Sequence, residues 1–255
     1  MRISLALTSG LCALALVGSA SGTPTATRTC KGGISGLVRG NLVVAAGTSC
    51  RTRSVNVQGH VFVRRNAKLN APGVFRVRGN VEVARGATLQ VTGPLIAIGG
   101  RVLAQGAKKV ALVRQPSAGS SGTIARNVSL FDTADITVLA LTIGGQVSLR
   151  GGGGEGVDVG ATRILRSLAV SGMRMLHPQR PGVFSVHSNS VGHQLTVSDN
   201  DATGAISPPF IGGNTIVQGQ LVCDGNVPDP VNTGPGGLAP NVVLHGKKRG
   251  QCKSL

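Results

Sequence analysis

A five-residue pattern recurs along this chain and limits the folds open to it more than any other feature. The pattern is Gly or Arg, a polar residue or His, Val or Leu, any residue, then an apolar residue. It reads Gly40-Asn41-Leu42-Val43-Val44, Gly59-His60-Val61-Phe62-Val63, Gly79-Asn80-Val81-Glu82-Val83 and Gly100-Arg101-Val102-Leu103-Ala104. It continues as Arg126-Asn127-Val128-Ser129-Leu130, Gly145-Gln146-Val147-Ser148-Leu149 and Arg166-Ser167-Leu168-Ala169-Val170. The last two copies are His193-Gln194-Leu195-Thr196-Val197 and Gly219-Gln220-Leu221-Val222-Cys223. Successive copies start 19, 20, 21, 26, 19, 21, 27 and 26 residues apart.

The third and fifth positions are apolar, a period of two, so each copy reads as a strand with one buried face. A short strand usually precedes the motif, as at Val55-Asn56-Val57 and Phe75-Arg76-Val77, and a third element follows it, as at Ala67-Lys68-Leu69. No stretch carries the helical period, the L-x-x-L-x-L frame of leucine-rich repeats is absent, and propeller blades need longer antiparallel units. The expected fold is all-β: a right-handed, single-stranded parallel β-helix of about nine coils. Coils spaced by one strand separation would make a rod about 40 Å long. The motif glycines suit corners that need positive φ or close backbone approach. Asn41, Asn80 and Asn127 either stack in a ladder or tolerate left-handed corners.

The chain ends carry different signals. Arg2, the apolar run 5–17 and the small residues 18–22 read as a secretory leader, too short for a comfortable membrane span. Cleavage within 1–22 would remove Cys12 and leave Cys30, Cys50, Cys223 and Cys252. An even count in an exported chain favours disulfides. Three pairings are possible; Cys30–Cys50 and Cys223–Cys252 each close a local loop and would tie down the open ends of the solenoid. No C-x-x-C pair or nearby His cluster points to a metal. The expected layout is a leader at 1–22, the β-helix at 23–226 and a Pro/Gly-rich cap with a basic tail at 227–255. The cap is read as strandless and the glycines 151–154 as a loop.

The Gly-Asn-Leu/Val-x-Val copies, the framing cysteines and the end Cys223-Asp224-Gly225-Asn226 with Gly250-Gln251-Cys252 resemble a group of small secreted actinobacterial proteins. That resemblance implies a parallel β-helix and brings no catalytic residues to carry over. A looser likeness is to bactofilins, which polymerise through Gly-punctuated coils but lack export signals and framing cysteines.

Composition narrows the function. The chain has 255 residues, 41% hydrophobic and 14% charged, so it can bury a core and is not disordered. Its formal net charge is +17. Residues 23–114 hold 15 Lys and Arg against one acid, Glu82, for a net +14; residues 115–226 sum to −1. The excess includes Arg51, Arg53, Arg64, Arg65, Lys68, Arg76, Arg78, Arg85, Arg101, Lys108 and Lys109. Stacked coils are expected to bring such charges close together, a repulsion that anions would relieve. The partner expected is therefore an anionic cell-wall polymer, an acidic polysaccharide or another polyanion. Trp and Tyr are absent, which weighs against base stacking and against stacking platforms for neutral sugars. Sequence-specific nucleic-acid recognition is not expected, and no cofactor is implied.

Many parallel β-helices are polysaccharide lyases or glycosidases, which makes an enzyme the alternative. The candidate group is Asp199 and Asp201 with His193; its competing reading is a polar turn after the strand 195–197. Asp132 with Asp135, and Glu155 with Asp158, are weaker carboxylate pairs. His60, His177, His187 and His245 read as isolated surface residues. The expectation is a secreted, non-enzymatic β-helix with a structural or adhesive role at the cell envelope.

Overall fold

The computed structural model describes residues 26–117, 119–175, 182–232 and 239–255. The expected leader, the segment 177–181 and the glycine-rich stretch 234–237 lie outside the described residues. The described chain is built of parallel strands, and its only helix is a single short 3-10 turn.

The strands fall into three stacks, so each coil has three straight edges and three corners. The first stack holds the motif strands. It runs from Thr27–Cys30 through Asn41–Val44, Val61–Val63, Val81–Val83 and Val102–Gln105 up to Leu221–Asp224 and Lys248–Gly250. The second stack starts with residues 32–34 and passes through Lys68–Ala71, Thr88–Val91 and Lys109–Val113 to Phe210–Gly212. The third starts with residues 36–38 and passes through Val74–Val77 and Leu95–Ile98 to Val242–His245. Every pairing is parallel and offset by one coil, as a parallel β-helix requires.

Register explains the motif. Its third positions, Leu42, Val61, Val81, Val102, Val128, Val147, Leu168, Leu195 and Leu221, are direct neighbours up the first stack and are buried. The fifth positions form a second buried column from Val44 to Cys223. The motif glycine answers close approach rather than positive φ. At Gly79 a Cβ would lie 2.7 Å from the carbonyl oxygen of Gly59 on the preceding coil. Positive φ is concentrated at the corner after the first stack, where Gly86 (φ 69°) is replaced on other coils by Asn66, Asp132 and Asp199 at φ 57°, 50° and 54°.

Side-chain ladders run up the corners. Asn41 Oδ1 accepts from the His60 amide, His60 Nδ1 from the Asn80 amide, and Asn80 Oδ1 from the Arg101 amide. These residues and Asn127 are ladder acceptors and not left-handed corners. Two further ladders are buried and lie outside the motif. One climbs Asn189, Asn214 and Asn241 between the second and third stacks, with Thr162 below it. The other climbs Asn200, Asn226 and Gln251 after the first stack.

Two expectations change. The segment 227–255 is not strandless. Val242–His245 pairs with Thr215–Gln218, and Lys248–Gly250 pairs with Leu221–Asp224, so the solenoid runs one coil further than 226. The prolines occupy only the first part of that coil, and Asn241 then continues a ladder into a regular strand. Nor are the glycines 151–154 a loop: they run within the strand Val147–Gly160, where Gly152 pairs with Thr133 and a Cβ would crowd the Thr133 amide.

Each end carries a cysteine pair. Cys30 and Cys50 have Cα atoms 5.7 Å apart and bridge the first two coils. Cys223 and Cys252, 5.1 Å apart, hold the 3-10 helix Gln251–Ser254 over the last motif strand. Cross-linking 20 residues removes enough unfolded-state entropy to be worth about 3 kcal/mol. A Cys30→Ser/Cys50→Ser variant should show that loss as a lower thermal midpoint; an unchanged midpoint would mean the first coils are held by packing alone.

Candidate polyanion surface

Arg51, Arg53, Lys68, Arg76 and Arg78 alternate in sequence with inward residues and so face outward, and the other six cations stand at strand ends or corners. Ten of the eleven are exposed and Lys109 is half-buried. They do not share one face. Arg51, Arg53, Lys68, Lys108 and Lys109 lie on or beside the second stack. Arg76 and Arg78 lie on the third, and Arg64, Arg65 and Arg85 at the corner after the first. Arg101 sits in the exposed ladder that precedes the first stack. The result is a belt around the basic half of the rod.

Cations are mostly not stacked on one another. Arg51 is followed up its column by Asn70 and Gln90, Lys68 by Thr88, and Arg76 by Ala97. In these columns neutral spacers relieve the expected crowding of like charges, while Arg65 and Arg85 stand at the same corner position on successive coils. What is not relieved is the lack of counter-charge. Among the described residues a Lys or Arg meets a carboxylate at Lys109–Asp135, 2.6 Å apart, and His187 Nε2 lies 3.3 Å from Asp158 Oδ1. Arg64 lies over the Phe62 ring at 5.0 Å, a cation–π contact that leaves its charge uncompensated. Arg114 is engaged structurally, donating to Ala140 O at 2.7 Å and to Ser120 Oγ at 2.8 Å.

Asp199 is a left-handed corner residue, in the place that glycine takes on most coils. Asp201 accepts from the Thr203 hydroxyl at 2.7 Å and from the Thr203 amide. Those bonds, with a smaller contribution from Arg174, hold its carboxyl below the ordinary range. Its small stabilising effect is therefore present above its ordinary pKa and fades as the pH falls below that range. His193 lies at the other end of the strand Leu195–Ser198 from Asp199 and does not join the pair. The left-handed corner at Asp199 and the Thr203 bonds to Asp201 are the contacts of a polar turn. Asp199→Gly should therefore keep the thermal midpoint or raise it, by up to about 1 kcal/mol in stability. A clear loss would mean that the carboxylate has work of its own.

One pairing escaped the sequence reading. His187 Nε2 faces Asp158 Oδ1, its Nδ1 lies 3.3 Å from Ser188 Oγ, and its ring lies over Gly160, where any Cβ would collide. The signal was the coil step: His187 is one rung above Gly160 in register. Among the described residues no three His, Cys, Asp or Glu side chains gather as a metal site would require. No helix there is long and apolar enough to cross a membrane.

Fold and surface together define a disulfide-closed parallel β-helix with one strongly basic half. Comparison with protein-family models, with curated proteins and with solved structures returned no match.

Proposed function

We propose that this protein is a secreted, non-enzymatic β-helix with a structural or adhesive role at the cell envelope, and that its basic half binds anionic polymers. The observation that carries the reading is the belt itself: exposed cations on every side and a single acid, Glu82, before residue 115. An extended polymer with regularly spaced charges can satisfy such a belt, whereas a small ligand would meet only part of it. The leader-like residues 1–22 and the two cysteine pairs support an oxidising, extracytoplasmic setting.

The enzymatic alternative, a polysaccharide lyase or glycosidase, would rest on Asp158 and His187 rather than on Asp199 and Asp201. One panel separates the two. Polygalacturonate, dextran sulfate, long-chain polyphosphate and neutral dextran are assayed for binding and for chain cleavage. Binding to the three anionic polymers without new chain ends is expected. Equal binding to neutral dextran would sink the polyanion reading, and new chain ends would favour the enzyme.

A further inference from the structure

Within the basic half, one recess gathers three arginines, against two in the recess lined by Arg76 and Arg78. At the first coil a surface recess is lined by Arg28, Gly32, Gly33, Arg51 and Arg53. Gly33 lies directly opposite Arg51 across one strand pairing, so the outward column there reads glycine and then arginine. The glycine leaves the floor open: a Cβ at Gly33 would meet only Arg51 O, at 3.7 Å. Arg53 stands two residues beyond Arg51 on the same strand. The buried Thr52 between them points inward, so both guanidinium groups face out. That places their stems about 7 Å apart along the strand, within joint reach of one small anion. Arg28 enters from the first stack. It occupies the column that is buried as Leu42 on the next coil, but at the rod's end it is exposed. The acid earliest in the chain, Glu82, faces out from a different stack on a later coil.

Three guanidinium groups offer more N–H donors than the two oxygens of one carboxylate can accept. A phosphoryl or sulfuryl group, with three outward oxygens, uses planar, paired donors from several directions. We infer that the recess of Arg28, Arg51 and Arg53 over Gly33 is a binding site for a tetrahedral oxyanion, a phosphate or sulfate ester group on the bound polymer. The inference rests on the polyanion reading and deepens it: the belt attracts the chain, and the recess selects the group.

The test uses the intact protein, inorganic phosphate and inorganic sulfate as probes, and calorimetric titration at constant ionic strength. Saturable binding of one anion is expected. Gly33→Val fills the recess without removing charge and without a positive-φ penalty, and should weaken phosphate binding at least about tenfold at an unchanged thermal midpoint. Arg51→Gln/Arg53→Gln should do the same. Arg76→Gln/Arg78→Gln removes equal charge from another stack and should leave phosphate affinity within about twofold. Equal weakening by the two double variants, no effect of Gly33→Val, or no saturable binding would each overturn the recess. Dextran sulfate and polyphosphate should also outbind polygalacturonate at matched charge, and equal affinities would remove the selectivity claimed. Loss of binding to all three polymers by the unaltered protein would overturn the underlying reading instead. Competition by phosphate or sulfate tells which ester the site prefers.

Discussion

Replacing Asn214 by alanine is expected to cost about 3 kcal/mol of stability, enough to lower the thermal midpoint by about 10 °C in a chain of this size. The reason is that Asn214 is fully buried and uses both ends of its amide. Its Oδ1 accepts from the Asn189 amide at 3.1 Å and from Asn189 Nδ2 at 3.0 Å. Its Nδ2 donates to Val186 O at 2.8 Å and to Asn241 Oδ1 at 2.9 Å. Alanine orphans the Asn189 main-chain amide where water does not reach, at about 1–3 kcal/mol, and removes the side-chain bonds to Val186 O, Asn189 Nδ2 and Asn241 Oδ1 as well. Asn214→Asp should be no better, since it keeps the acceptor, loses the donor to Val186 O and adds a buried charge. Asn80 supplies the control. Its Oδ1 accepts from the Arg101 amide on an exposed corner, so Asn80→Ala should cost less than about 1 kcal/mol because water takes over. Equal losses at Asn80 and Asn214 in chemical or thermal unfolding would show that the ladders do not differ as their burial implies.

The solenoid was legible because its signal is repeated. Leu42, Val61 and Val81 each touch a counterpart above and below, so every coil must keep the same apolar position, and the period shows in the residues. The terminal coils lack that two-sided constraint. Thr27–Cys30 and Lys248–Gly250 each have a neighbour on one side, and Arg28 and Lys248 stand where the inner coils carry Leu or Val. A motif search therefore stops short of both. The buried asparagines were missed for a different reason. Asn189, Asn214 and Asn241 sit at a corner that the five-residue motif does not cover, at spacings stretched by the longer later coils. Counting by coil step rather than by motif would have aligned them. The same geometry decides the candidate acids: Asp199 keeps company with Gly86, Asn66 and Asp132 at one corner, a likeness in backbone angle that residue types alone disguise. The location of the charge was legible by half but not by face, because the angle between faces is set by corners whose conformation the composition does not encode.

The second large effect concerns salt. If the belt binds by displacing counterions from a polyanion, affinity must fall as a power of salt concentration, with an exponent set by the number of cations engaged. With about four cations engaged at once, a dense phosphate polymer should lose about a hundredfold in affinity between about 50 and 200 mM salt. Direct hydrogen bonding within a neutral-glycan groove would change little over that range, because it releases no ions. Charge variants should move the exponent rather than only the affinity. Removing two of the engaged cations should flatten the slope by about two, and Arg76→Gln/Arg78→Gln applies this to one outward pair.

The most direct measurement of the central claim is the affinity of the intact protein for long-chain polyphosphate across a series of sodium chloride concentrations. A straight line of log affinity against log salt with a slope of about −3 or steeper is expected. A slope near zero, or binding that persists unchanged at high salt, would contradict it.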